Sequence, residues 1–392
     1  MKITYAAPHS GCAWWRIRQP AWMIQKLGLA EVRIFDISSF TPEGMNDLLG
    51  WGEVLVLQSA MGIGTVAAAT KFKEGGKVVL GDYDDLSFAL SPFNPAYKTL
   101  GLKEVKVKMT DTGETKQLFK DGEGGFNLKA NYFRYKSLQD LLSTYHGVTT
   151  TTKFIKDEYS QYNKNIYILP NSIDFNLFKP FPKKDTGQIR IGWMASDSHY
   201  SEIWMIKRIM RKILDKYKSK VKFVLLGNLT EMAMQFTKEE FERHNFIGLS
   251  IYPVKAATLN LDIGLCPLNV EDPYVYTFNR AKSALKWSEY SALRIPTVCS
   301  KIEAYDCVED GVTGMVADNE KEFFDKLCEL IDDAGLRDKM TQNAFDYNYE
   351  NYNLEKNVVL WIDAYEQAME ERERCELPSW DSVPSESGIL RI

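Results

Sequence analysis

The chain lacks several features that would place it in a class at once. No apolar run approaches the roughly 20 residues a membrane span needs, and Met1–Ala7 has neither the cationic start nor the apolar core of a secretory leader. The six cysteines (Cys12, Cys266, Cys299, Cys307, Cys328 and Cys375) show neither paired spacing nor a zinc-ligand pattern. They fit reduced thiols, so a cytoplasmic location is expected rather than a disulfide-stapled secreted domain. An excess of positive charge is missing too: 48 Lys and Arg stand against 53 Asp and Glu, for a net charge of −5. No global basic field announces nucleic acid or an anionic membrane, although a local basic patch stays open. Short-period repeats and low-complexity tracts are also absent.

What is present is a long, ordinary globular composition. A chain of 392 residues with 45% hydrophobic content is too long for one core, so two domains are expected. The first third alternates strand and helix: KITYAA, a helix near Arg18–Leu27, EVRIFDI, a helix around Pro42–Leu49, EVLVLQ, GTVAAATKFKEG as a helix, then KVVLGDY. That order predicts a parallel sheet with helices on both faces, with ligands at the carboxyl ends of its strands. KEVKVKM and KQLF alternate by twos around a turn and predict a hairpin. A helix near Leu138–Tyr145, the strand GVTTTT, a helix over Lys156–Tyr162 and the strand NIYILP complete an N-terminal domain over 1–175.

Residues 176–187, with two prolines and a cationic cluster, read as a linker. A second alternating set over 188–353 follows: QIRIGWM, a helix over EIWMIKRIMRKILDKY, VKFVLLG, a helix over KEEFERHN, then SIYPV, DIGLCPL and PTVCS as strands. Helices are expected over Glu320–Asp332, Leu336–Asn348 and Leu354–Arg374, before a polar tail over 375–392. Two Rossmann-like, doubly wound α/β domains would face each other across a cleft, a favoured place for a small-molecule site.

The central stretch is Asn279–Ser300, read as a charged loop, a helix from about Lys282 to Leu293 and a strand from Ile295. Helical spacing would put Lys282, Lys286, Glu289 and Leu293 on one face. Two ammonium groups at a helix start suit a diphosphate, and a carboxylate one turn on suits ribose hydroxyls. The same pattern also suits a solvated face with one Lys–Glu pair, worth about 0.2–0.5 kcal/mol.

Other candidates sit at strand ends. Gly11, in His9-Ser10-Gly11-Cys12-Ala13, permits close approach of a phosphate or sugar, or simply makes a tight turn. Arg16 or Arg18 behind it could face the cleft. Asp82-Tyr83-Asp84-Asp85 ends the fourth strand, where carboxylates must be solvated, paired or ligand-facing. Hydrogen bonding of Asp84 and Asp85 to sugar or acceptor is expected, with metal chelation through Asp82-x-Asp84 as the alternative. In the second domain Ser196 and His199 follow the first strand, Gly227 ends the next, and Tyr252-Pro253-Val254 ends the one after, where it could read a base edge.

With these residues placed, the chain resembles the retaining glycosyltransferases of family 4, which have the GT-B fold. ILPNSIDFNLFKP, LDIGLCPL, EYSALRIPTV and EDGVTGMVADN follow in the family's order and spacing. The resemblance implies a nucleoside diphosphate sugar (UDP- or GDP-sugar) held by the second domain, no tightly bound cofactor, no essential divalent metal, and a last helix that crosses back to the first domain. Glu289 matches the second glutamate of the family's Glu-x7-Glu motif. The first falls at Ala281, with Lys282 and Ser283 in its neighbourhood. The family's Arg/Lys pair after the first strand of this domain is missing from WMASDSHYSE, so Lys282 and Lys286 are expected to supply that charge. The flavour is that of phage-type members, so the acceptor is expected to be a glycan or a hydroxymethylated pyrimidine in DNA. Two rivals are a nucleotide-sugar epimerase of the same architecture and a non-catalytic nucleotide-binding module.

Overall fold

A computed structural model describes residues 1–8, 11–36, 47, 50–108, 113–229 and 236–375. The expected helix at Pro42–Leu49, together with His9, Ser10 and the tail from 376, lies wholly or largely outside these residues.

The N-terminal half forms a six-stranded sheet in the order β2-β1-β3-β4-β7-β8. Its strands are β1 (Lys2–Ala7), β2 (Glu31–Asp36), β3 (Val54–Gln58), β4 (Val78–Tyr83), β7 (Gly147–Thr150) and β8 (Ile166–Ile168). Every pairing is parallel. Near-continuous burial of β1, β3 and β4 is what helices on both faces require. Between β4 and β7, the antiparallel hairpin β5 (Val105–Lys108) and β6 (Thr115–Phe119) stands apart, as its alternation predicts. The second half repeats the plan in the order β11-β10-β9-β12-β13-β14, again all parallel. These strands are β9 (Ile189–Met194), β10 (Val221–Leu226), β11 (Phe241–His244), β12 (Ile263–Cys266), β13 (Thr297–Ser300) and β14 (Met315–Ala317).

Helices α1 (Gln19–Lys26), α2 (Ile63–Glu74), α3 (Leu128–Thr144) and α4 (Lys153–Tyr159) belong to the first half. Helices α5 (Ile203–Tyr217), α6 (Tyr252–Thr258), α7 (Pro273–Arg280), α8 (Leu285–Ala292), α9 (Glu320–Asp332) and α10 (Ala334–Asn351) belong to the second. The last two, α11 (Leu354–Asn357) and α12 (Val359–Cys375), return to the first sheet. Leu354, Trp361 and Tyr365 share one core with Ile3, Tyr5 and Val56. The chain crosses between the halves twice, side by side: the Ile173 N–H donates to Tyr352 O at 2.7 Å, and the Leu354 N–H to Ile173 O at 2.9 Å.

Four local expectations are overturned. KEEFERHN contains no helix; Phe241–His244 is an edge strand on β10. Its charges are held laterally, Glu240 by Arg211 and Glu242 by Arg190 and His244, so tertiary pairing overrides helix propensity at a solvated edge. SIYPV is not a strand: Tyr252 starts α6, where Pro253 sits in the first turn and its missing N–H costs nothing. The charged loop before Lys282 contains α7, opened by Pro273 and capped by Asp272, which accepts from the Tyr274 N–H at 2.8 Å. The central helix starts at Leu285, not Lys282. Asn279 at the end of α7 is held by Glu202 and by Asn269 O, both at 3.0 Å, and 281–284 become a connector. Lys282 therefore does not share a helical face with Glu289, and Leu293 is buried at the helix end.

Candidate active site in the interdomain cleft

Helix α8 is held almost entirely inside the protein. Trp287 donates its indole N–H to Thr313 O at 2.9 Å, and the Tyr290 hydroxyl donates to Gly192 O at 3.0 Å while accepting from the Met194 N–H at 2.9 Å. The Tyr290 ring fills the space over Gly264, where an added Cβ would come within 2.6 Å of it. These anchors fix the helix start against the carboxyl end of β9. Truncating either ring would cost about 3–5 kcal/mol.

The free edge of α8 faces a cleft of about 1040 Å³ between the two halves. Lys286 Nζ donates to Glu289 Oε2 at 2.8 Å, and the Tyr252 hydroxyl donates to the same oxygen at 3.0 Å. The Glu289 side chain is 2% exposed while that of Lys286 is 20% exposed, so the carboxylate is seated and the ammonium stays open to the cleft. Lys282 enters from the connector, its ammonium 4.6 Å from the centre of the Phe278 ring. Beside it, Ser283 Oγ accepts from Asn171 Nδ2 at 2.9 Å, which ties the two halves together.

The loop after β9 brings Ser196 and His199 to the same space. His199 Nδ1 lies 3.6 Å from Glu202 Oε2, and both buried atoms lack a hydrogen-bond partner among the described residues. The other carboxylate oxygen of Glu202 accepts from the Asn269 N–H and Asn279 Nδ2, each at 3.0 Å, and from Ser201 Oγ at 2.8 Å. Burial pushes the His199 pKa down; Glu202 offsets this only in part, and Lys282 and Lys286 add to it, so the imidazole is neutral at pH 7. Burial pushes the Glu202 pKa up, but His199 and the donors at Asn269 and Ser201 outweigh it, so the carboxylate stays ionised.

The first half supplies an acidic wall. Gly11 opens a helical turn over Gly11–Ala13, and no atom of the described residues lies within 4 Å of a Cβ built there, so it is open lining. A π-helical turn over Trp14–Arg18 follows, in which the Gln19 N–H reaches back to Trp14 O. Pro20 has no N–H for the ordinary bond to Arg16 O, which accounts for the widened turn. Cys12 and Trp15 thereby point into the cleft and Arg16 into the interior. The Cys12 Sγ and carboxylate oxygens of Asp84 and Asp85 lie within 4.8 Å of one another. Burial, reinforced by Asp82 and offset in part by Cys12, holds Asp84 above the usual carboxylate range. Burial likewise pushes Asp85 up to about 7 despite the opposing pull of Lys282 across the cleft. Asp84 and then burial raise the Cys12 thiol well above its usual value, so it is no thiolate nucleophile.

Asp82 takes no part in this wall. It is buried against Arg16, with Nη2 to Oδ2 at 2.7 Å, and accepts from Thr149 Oγ1 at 2.7 Å. Arg16 also donates to Leu169 O and to Asn171 Oδ1. An Asp82-x-Asp84 chelate is therefore ruled out by geometry, and Arg16 does not face the cleft; Arg18 does not line it either.

Gly11, Asp84, Asp85, Ser196, His199, Tyr252, Lys282, Ser283, Lys286 and Glu289 all line the one cleft. Gly227 and Val254 do not. A Cβ on Gly227 would lie 2.0 Å from Ala195 O, so this glycine serves close backbone packing, and Val254 points to solvent from α6. Sequence reasoning missed Cys12, Trp15, Asn171 and Phe246 in the lining, and Glu202 behind it. The chain carries no local mark for these; a strand-end Asn or a Trp after a glycine is common anywhere.

No protein-family model matches the chain, and no curated protein matches it by sequence. Solved structures match along nearly its whole length. HepE from Anabaena, in complex with UDP and glucose, superposes with a TM-score of 0.62 at 12% identity, covering 94% of this chain and 100% of its own. Sucrose-phosphate synthase from Thermosynechococcus elongatus gives 0.63 at 10% identity over 94% and 98%. A glycosyltransferase from Rickettsia africae gives 0.59 at 11% identity over 94% and 98%. The shared fold is GT-B: two parallel-sheet α/β domains facing across a cleft.

Proposed function

We propose that the chain is a retaining glycosyltransferase of the family 4 type. It moves a sugar from a nucleoside diphosphate sugar, UDP-linked in the first instance, to an acceptor hydroxyl. The observation that carries this reading is the convergence of Lys282, Lys286 and Glu289 from one half with Asp84 and Asp85 from the other, around a space large enough for such a donor. UDP occupies the HepE structure of the same fold, which supports uridine as the base.

Charge develops on the departing diphosphate as the glycosidic bond breaks, so holding that anion is the main task. Lys282, Lys286 and the first N–H groups of α8 take it, with the neutral His199 imidazole donating a hydrogen bond. Glu289, steadied by Lys286 and Tyr252, receives the ribose hydroxyls. Phe246, 41% exposed and 6.1 Å from the Tyr252 ring, offers a flat wall for the base. Asp84 and Asp85 orient the sugar or the incoming hydroxyl. The resemblance to the retaining family favours attack and departure on one face of the sugar, with the leaving phosphate accepting the proton. The lysines provide the charge that a divalent cation would otherwise supply, so activity should survive EDTA; a strict manganese requirement would instead assign Cys12, Asp84 and Asp85 to a cation. The acceptor is a glycan or a hydroxymethylated pyrimidine of DNA. Exposed Lys106 and Lys116 on the hairpin suit a phosphate backbone, and the net charge of −5 opposes one.

A thermal-shift panel of UDP, GDP, ADP and their sugars tests the donor reading. UDP and UDP-sugars should raise the melting temperature, and a panel without any shift would remove the cleft as a nucleotide site.

A further inference from the structure

A second hollow of about 840 Å³ lies beside the cleft, at the carboxyl ends of β12, β13 and β14. The segment Ser196–Glu202 divides the two spaces. Ser196 and His199 face the cleft, while Tyr200 and Ser201 face the hollow. Its walls differ in chemistry. One is aromatic: Trp204, in the first turn of α5, is 57% exposed, and Tyr200 stacks on Phe93 of the first half with ring centres 6.3 Å apart and planes 26° apart. The other is polar and acidic: Asn269, Glu271 and Asp318 face the space, and Arg208 there is already taken by Glu320.

An exposed indole at the mouth of a hollow rimmed by hydrogen-bonding groups marks a ligand surface. A flat aromatic face opposite carboxylate and amide acceptors matches a pyranose, which carries C–H bonds on one face and hydroxyls around its edge. Polyanions fit badly, because Glu271, Asp272 and Asp318 outnumber the cations that face them and would repel a phosphate backbone. The two spaces are also joined through the framework. Glu202 binds the Asn269 N–H on the hollow side and lies against His199 on the cleft side.

We propose that this hollow is a saccharide subsite, holding neutral pyranose units of an acceptor chain whose terminal hydroxyl reaches the cleft between Asp84 and the donor. Its role as an acceptor subsite rests on the glycosyl-transfer reading; its affinity for sugar does not. Trp204 supplies the platform and the Phe93–Tyr200 stack the wall.

The test uses saturation-transfer NMR and calorimetry on the full chain with α-glucan, β-glucan, chitin-type and mannan hexasaccharides. A heparin hexasaccharide and a DNA hexamer serve as polyanions. At least one neutral hexasaccharide should bind. Trp204→Ala should weaken it at least tenfold, Tyr200→Ala by less, and Trp204→Phe should retain most of the affinity. The melting-temperature shift with UDP should be unchanged in all three variants, which also reports that they fold. Failure of all four neutral hexasaccharides to bind, an affinity indifferent to Trp204→Ala, or preferential binding of the DNA hexamer in the hollow would overturn the proposal. Because UDP binding is read separately, a chain that binds UDP but no hexasaccharide loses only the subsite. A chain that binds a hexasaccharide but no nucleotide loses the donor reading instead.

Discussion

Arg16–Asp82 and Lys286–Glu289 are both short cation–carboxylate contacts, at 2.7 and 2.8 Å, in the two matching halves of the molecule. Both carboxylates are 2% exposed. The cations differ. Arg16 is sealed (0% exposed), and its Nη1 donates to Leu169 O and Asn171 Oδ1 besides the bonds of Nε and Nη2 to Asp82. Lys286 makes one bond to Glu289 and keeps a fifth of its side-chain surface in the cleft. A cation whose three nitrogens all donate inside the protein is architecture: it pins the end of β8 and the crossing segment to β4. A cation left partly open beside a seated carboxylate is free to meet an anion. Sequence distance from a strand end does not separate the two cases, whereas the count of spent donors does.

That contrast can be broken from either side. Arg16→Ala leaves a buried, uncompensated Asp82 and should cost about 3–5 kcal/mol of stability, read as a large drop in denaturation midpoint. A variant as stable as wild type would show that Asp82 is not held by Arg16. Lys286→Ala should shift the balance, lowering the melting temperature less because Lys286 already stands partly in the open cleft, while turnover falls more than tenfold, a loss above about 1.4 kcal/mol in the barrier. Wild-type turnover would remove the diphosphate assignment. Glu289→Gln removes a charged acceptor and should weaken UDP-sugar binding about tenfold by calorimetry; an unchanged dissociation constant would count against the ribose role.

The smallest effect concerns the opposite wall. Asp85 titrates near 7 in the folded chain, above the usual 3.8. A raised carboxylate pKa means the folded state holds the proton longer, so the stability that Asp85 contributes is full at low pH and is lost as pH rises through about 7. Asp85→Asn should therefore raise the apparent melting temperature at pH 8, where the wild-type carboxyl is mostly ionised. Below pH 4 it should change nothing. An equal gain at both pH values would trace the effect to packing instead of charge.

Much of the fold was legible in the sequence, because parallel sheets covered on both faces demand apolar strands such as VLVLQ and VVLGDY at regular intervals. The failures fall where one signal served two masters. Pro253 and Pro273 punctuate a strand and begin a helix equally well, and here they begin helices. FERH carries charges that suit a helix surface and equally an edge strand. The candidate site was read partly from residues and partly from a family pattern, and ten of its twelve positions line one cleft. Gly227 was misplaced because a glycine needed for close backbone packing looks the same in sequence as one opened for a ligand.

By itself the sequence determined the two repeating α/β units and the chemical types at their strand ends, since alternation and burial are local consequences of side-chain pattern. Tertiary structure alone decided which of those groups meet. Asp82 and Asp84 are two residues apart and end in different worlds, one locked to Arg16 and one beside Cys12 and Asp85, because residues two apart share a face only while the strand continues and β4 ends at Tyr83. Glu202, distant in sequence from Asn269 and Asn279, shapes the wall between cleft and hollow through contacts that only the packed second half creates.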